Sequence, residues 1–283
     1  MLNMHLVKSW LQHVMKAKNL HGIHSPFIYR LTDEVLYDKK NYPDYDLVEQ
    51  ERGRLLADER VIRVTDLGAG SHYGNGKEKK VSDIASRALK SPKLAQLIYR
   101  LTRDAGPRTI LELGTCLGVT TAYLARAAPG ARVMTIEGCP ETAAIAREGF
   151  SRGGLLLDQP GQPRTEKKQT MAPQRETAAI EPLTGNFNDV LPELLGNLKC
   201  LDLLFIDGNH RKSATLNYFE WSLPCLHEHS LVIFDDIHWS EGMEEAWEAI
   251  KAHPAVTVTA DLFHIGLVFF RKGQAKEHFR LRI

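Results

Sequence analysis

The sequence has no apolar run approaching the roughly 20 residues that cross a bilayer. Lys8, His13, Lys16 and Lys18 interrupt the N-terminal stretch that a secretory leader would need. The expectation is a cytoplasmic protein with no membrane partner. Cysteine is scarce. Cys116, Cys139, Cys200 and Cys225 form no Cys-x-x-Cys pair and have no metal-ligand spacing, which excludes a disulfide scaffold or a zinc ribbon and leaves reduced thiols. A dominant charge is missing too. With 36 basic and 35 acidic residues the net charge is +1, too little to argue for nucleic acid. No internal repeat is present. What is there, 43% hydrophobic and 25% charged residues in a chain of 283, suits one large globular domain or one domain with an appendage.

Charge is unevenly spread, with 18 basic and 13 acidic residues up to position 105 and 18 against 22 thereafter. In the first part, Leu2, Leu6, Trp10 and Val14 recur every four positions and predict an amphipathic helix over 1–20. Ser25-Pro26 predicts an N-cap and first helical position, for a helix reaching about Tyr37. Residues 38–60 are charged and in part helical, 61–64 a short strand and 71–80 a polar loop. Helices follow at 82–90 and 92–104, the second opened by Ser91-Pro92. We take 1–105 as a mostly helical cover. Its stripe Leu6, Trp10, Val14 suits packing on the core or on a second subunit, which makes a homodimer through these helices one outcome.

From residue 106 the pattern changes. Strands are predicted at 108–113, 132–137, 178–183, 201–207 and 230–235. Helices are predicted at 117–128, 140–150, 189–197 and 213–226, with Pro140, Asp189 and Ser213 as openers. Near-continuous apolar strands separated by helices imply an α/β fold, a parallel sheet with helices on both faces. After a helix at 240–252, strands at 256–262 and 264–271 lie too close for a helical crossover and must form an antiparallel hairpin. That makes seven strands. Residues 151–176, with three prolines, read as a long mobile loop.

Two glycine segments compete for a ligand. Asp66-Leu67-Gly68-Ala69-Gly70-Ser71 has no helix directly after it and reads as a strand-ending turn. Glu112-Leu113-Gly114-Thr115-Cys116-Leu117-Gly118 follows an apolar strand and opens a helix. The next strand ends in Glu137, 23 residues after Gly114. A carboxylate there can accept both hydroxyls of a ribose. The spacing Gly-x-x-x-Gly argues against a dinucleotide, whose pyrophosphate needs a tighter turn on a helix N-terminus.

Residues 91–137, from Ser-Pro through ILELGTCLGVTTAYLA to the acid-ended strand, resemble class I S-adenosylmethionine-dependent methyltransferases. They are similar to the small O-methyltransferases that act on catechols and caffeoyl thioesters. The resemblance implies a Rossmann-like sheet, S-adenosylmethionine as cofactor and a small-molecule acceptor. It implies Gly114, Thr115 and Gly118 along the methionine part, Thr120 at its carboxylate, Glu137 on the ribose, and Asn186 and Phe187 at adenine.

Two further strands end in acids, at Asp207 and at Asp235-Asp236. Adjacent strands lie about 4.8 Å apart, so the three carboxylates can converge, and without a cation they would repel. Oxygen ligands suit Mg²⁺ first, then Mn²⁺ or Ca²⁺. Metal-dependent members of the resembled family carry an acid after the fourth strand and Asp-Asn after the fifth. Here the pair is Asp-Asp, as in sugar-modifying relatives with Asp-Gly-x-His. Asp207 and His210 are the catalytic candidates. His210 stands where the catechol group has its lysine base, and it can take a proton near neutral pH. An acidic rim that merely bounds a pocket stays open as the alternative to a metal. His238, Trp239 and Ser240 are expected near the acceptor, although Ser240 can equally cap a helix. Two other readings also stay open: a metal-free enzyme acting on nitrogen or a carboxylate, and a cofactor-binding protein without turnover.

Overall fold

The computed structural model describes residues 4–65, 77–156 and 178–283. The chain opens with α1 (Met4–Lys16) and α2 (Pro26–Leu31), which runs on into a wider turn over Thr32–Leu36. α3 is Pro43–Leu56. β1 (Val61–Val64) pairs antiparallel with β2 (Lys77–Lys80), so the last four residues of the expected polar loop 71–80 are a strand. Lys-Glu-Lys-Lys gives no apolar alternation, which is why the strand was invisible in the sequence. α4 (Val81–Ala88) and α5 (Pro92–Ala105) follow. Ser91 caps α5 by accepting the Leu94 N–H, and Gly106, at φ 57°, ends it.

Strand and helix then alternate: β3 (Thr109–Leu113), α6 (Val119–Ala127), β4 (Arg132–Glu137), α7 (Pro140–Gly153), β5 (Ala179–Thr184), α8 (Phe187–Gly196), β6 (Leu203–Ile206), α9 (Lys212–Ser222), β7 (Leu231–Asp235) and α10 (Glu241–Ala252). β8 (Val258–Asp261) and β9 (Ile265–Phe269) form the expected antiparallel hairpin, and β10 (Glu277–Arg280) closes the chain. The sheet order is β10-β8-β9-β7-β6-β3-β4-β5. The sheet thus has eight strands, one more than expected, because β10 pairs parallel with β8. Four residues with little apolar alternation carry no strand signal of their own. The exposed edge of β8 supplies the partner.

Alternate residues of each strand face opposite layers. Ile110, Val133, Leu203, Phe205 and Ile233 belong to a core shared with α2 to α7. Leu111, Met134, Leu204, Val232 and Phe234 belong to a second core with α8, α9 and α10. Full burial of one such side chain is worth about 1.5–3 kcal/mol. Helices from the first 105 residues therefore pack directly on the sheet.

Several local expectations change. Ser25 makes no capping bond and instead accepts from Gln274. Asn186, not Asp189, caps α8, and Arg211, not Ser213, precedes α9. α1 buries Ser9 and His13 while Trp10 stands exposed. Its polar face turns inward because the body offers it carboxylates. Residues 151–153 complete α7 and Leu156 bridges to Ile180. The rest of the predicted loop lies outside the described residues, as does the glycine segment 66–71. Among the described residues no helix is long and apolar enough to cross a membrane.

Candidate functional site

β3 lies between β4 and β6, so the strand order reverses beside it. In open α/β sheets such a switch point opens a crevice beyond the strands' C-terminal ends. The loops after β3 and β6 touch there. A Cβ on Gly114, at φ 105°, would run into the Asp207 carbonyl oxygen. A Cβ on Gly118, at φ 82°, would lie 2.6 Å from the Phe150 ring. Packing alone thus demands both glycines.

Glu137 stands at the tip of β4, half-buried. Its carboxylate accepts the N–H of Cys116 at 2.7 Å and that of Cys139 at 2.9 Å, one on each oxygen. Each oxygen keeps a further acceptor direction. Burial raises its pKa, and the two backbone donors oppose the rise. Thr115 is spent on the core. Its hydroxyl lies 2.6 Å from that of Thr135, which donates to buried Glu112. Burial pushes Glu112 up to about 7. Thr120 is buried in the first turn of α6. The Phe187 ring packs on Gly208, where a Cβ would lie 2.6 Å away, and Asn186 beside it accepts the Asn188 N–H at 2.9 Å. The structure thus brings Gly114, Asp207, Gly208 and Phe187 together beyond the C-terminal ends of β3 and β6.

The acids have a partner that the sequence reading missed. Lys90 Nζ lies 2.8 Å from Asp207 Oδ2 and 2.7 Å from Asp235 Oδ2. Burial works against ionisation of Asp235, but the Lys90 charge and its hydrogen bonds hold the carboxyl below its usual range. Burial and the Asp235 charge drive Asp207 the other way, well up. Asp236 sits in the left-handed region at φ 51°. It is pushed up to about 6 by burial and Asp235, against the pull of His210. His210 Nε2 lies 4.0 Å from both Asp207 Oδ1 and Asp236 Oδ2, beyond hydrogen-bond reach. A lone lysine before a helix cap carries no spacing rule. The one signal was that carboxylates on neighbouring strand ends need a cation.

His238, expected near the acceptor, is held between two carboxylates. Its Nδ1 is 2.7 Å from Glu244 Oε1 and its Nε2 is 3.1 Å from Asp261 Oδ2. Asp261 also faces His13 Nδ1 at 3.2 Å and accepts from Arg280 Nε at 3.1 Å. Burial opposes charge on His238, yet the two carboxylates raise its pKa. Ser240 caps α10 through the Met243 N–H, and Trp239 is exposed.

Residues 111–237 match the family model described as a methyltransferase domain. Over 149 residues the chain is 29% identical to a catechol O-methyltransferase of Niastella koreensis, covering 52% of this chain and 57% of that protein. Over 160 residues it is 28% identical to a catechol O-methyltransferase of Mycobacterium tuberculosis, covering 54% and 61%. The chain therefore spans less than two thirds of the length of these relatives. An O-methyltransferase from Bacillus cereus, solved in complex with SAH, matches at a TM-score of 0.51 and 21% identity, covering 86% of this chain and 96% of that one. That likeness shows the α/β methyltransferase fold.

Proposed function

With residues 111–237 a domain of the methyltransferase family, we propose that this chain transfers a methyl group from S-adenosylmethionine to a hydroxyl of a small-molecule acceptor. The observation that carries the reading is the switch point at β3, with the fixed Glu137 carboxylate at the tip of β4 on one side and His210, among acids beyond β6, on the other. The names of the relatives make vicinal phenolic hydroxyls the first acceptor class to try.

Glu137 is a fit partner for a ribose, because two acceptor directions remain on a carboxylate already held by backbone. Phe187 offers a ring face to adenine, with Asn186 beside it. The Gly114–Gly118 loop, including Thr115, borders the methionine part, and Thr120 stands by its carboxylate. When bound, S-adenosylmethionine supplies an electrophilic methyl on a sulfonium sulfur, which keeps the electron pair of the breaking bond. The chain's residues hold the acceptor oxygen in line. His210 Nε2 takes the hydroxyl proton as the new oxygen–carbon bond forms, and the Asp236 carboxylate beside it stabilises the resulting imidazolium. In this reading 106–283 is the transferase unit, and 1–105 is a cover that reaches the site through Lys90.

The divalent ion that the family resemblance implies does not fit the acids as arranged. The Lys90 ammonium already bridges Asp207 and Asp235, so no step is routed through a metal.

The test is transfer of a labelled methyl from S-adenosylmethionine to a panel of phenols and vicinal diols. Labelled product and S-adenosylhomocysteine are expected in equal amounts. His210→Ala should keep cofactor binding and lower turnover about 10²–10⁴-fold, with partial recovery at high pH. No binding of S-adenosylhomocysteine and no transfer would contradict the proposal.

A further inference from the structure

We infer that Lys90 is the resident cation of this site, taking the place between Asp207 and Asp235 that a divalent ion holds in metal-dependent methyltransferases. The inference rests on the transferase reading above. Three observations carry it. The ammonium makes two short contacts, at 2.8 and 2.7 Å, to oxygens of two different strand ends. Its remaining face lies over the Phe205 ring, 5.5 Å from the centroid, so apolar core closes it in. The lysine is also tethered at its backbone. The Lys90 carbonyl accepts from Arg52 Nη1 at 2.7 Å, and Arg52 is itself paired with Glu49 at 2.7 Å. One residue on, Ser91 caps α5.

A lysine on a loose loop would swing aside for a metal. This one is pinned at both ends, and its side chain is only 9% exposed. An ion bonded to both carboxylates at about 2.0–2.1 Å would share their oxygens with the ammonium. Displacing the ammonium would strand a charge in the core. Asp207, His210 and Asp235 offer ligand atoms within 4.8 Å of one another, but Lys90 engages both of those acids. The consequence for chemistry is specific. A metal would draw the acceptor hydroxyl into its coordination shell and lower its pKa. A buried ammonium opens no such position, so the proton must leave through His210.

The experiment uses Mn²⁺ as the probe, followed by its paramagnetic resonance signal in titrations of the full chain. Wild type and the double variant Asp207→Asn, Asp235→Asn should bind Mn²⁺ equally weakly. Lys90→Met should gain a site at least tenfold tighter, and Lys90→Arg should not. An Mn²⁺ held by wild type and lost in the double variant would overturn the inference. So would a folded Lys90→Met protein that gains no site. If Lys90→Met does not fold, the comparison of wild type with the double variant decides. Methyl transfer after exhaustive chelation should be unchanged, and a rate that falls and returns with Mg²⁺ would also overturn it. A chain that transfers no methyl under any condition would count against the proposed function, while the Mn²⁺ titrations would still decide the role of Lys90.

Discussion

Two clusters of buried charge lie at the same end of the sheet, and both join a base from the first 105 residues to an acid on a strand end. In one, Lys90 meets Asp207 and Asp235. In the other, His13 meets Asp261, together with His238, Glu244 and Arg280. They differ in how completely they are paired. Asp261 Oδ1 accepts the Phe263 N–H and faces His13, while Oδ2 takes His238 and Arg280. Both Asp261 oxygens are thus engaged. That cluster is a clamp, holding α1 across β8, α10 and β10. At the other, Lys90 takes one oxygen of each acid, and Asp207 Oδ1 and Asp236 stand 4.0 Å from His210 with no hydrogen bond between them. The same ingredients engage both oxygens of Asp261 in one cluster and leave Asp207 Oδ1 without a hydrogen bond to His210 in the other.

The sharpest way to break this contrast is to remove the central acid of the clamp. Asp261→Ala would leave three basic groups around a buried gap. It should cost about 3–5 kcal/mol of stability, read by denaturant unfolding. A loss below about 1 kcal/mol would mean that the cluster does not clamp. Lys90→Met should cost less, about 1–3 kcal/mol, because burial and the Asp235 charge raise the Asp207 pKa and ease uptake of a proton there. If Lys90→Met were the more damaging change, the roles of the two clusters would be reversed.

Acidity sharpens the comparison further. His238 has its folded-state pKa raised, so its contribution is full below about 6.5, the unfolded value, and is lost as pH rises through the folded value. Asp261 is lowered, so its contribution is present above about 3.9 and is lost as pH falls. The clamp should therefore be strongest between about pH 4 and 6.5. A His238→Gln protein should show a flatter decline of stability above that window than wild type. Equal alkaline slopes for the two proteins would show that His238 is not charged in the fold.

Much of this molecule was legible in the sequence. β3 to β9 fell close to the predicted spans, because strands buried on both faces are long apolar runs that no loop imitates. The glycine loop and Glu137 were legible for the same reason, since a strand end marks where each must be. What escaped lacked apolar pattern. β2 is four charged residues, and β10 depends on a neighbour's edge. The inward face of α1 carries Ser9 and His13, because its partners are Asp261 and Glu244 and not a hydrophobic surface. Lys90 escaped because its two partners are 117 and 145 residues further along the chain. The prediction that Asp207, Asp235 and Asp236 form one set separated in the structure into an acid pair bridged by lysine and a third acid turned toward His210.

We propose that S-adenosylmethionine binds beyond the C-terminal ends of β3, β4 and β6. The direct measurement is calorimetric titration of S-adenosylhomocysteine into wild type and Glu137→Ala, with folding of the variant checked by circular dichroism. One site per chain is expected in wild type. The variant should bind at least tenfold more weakly, a loss of about 1.4 kcal/mol or more from two charge-assisted hydrogen bonds. Binding of equal strength in the two proteins would contradict it.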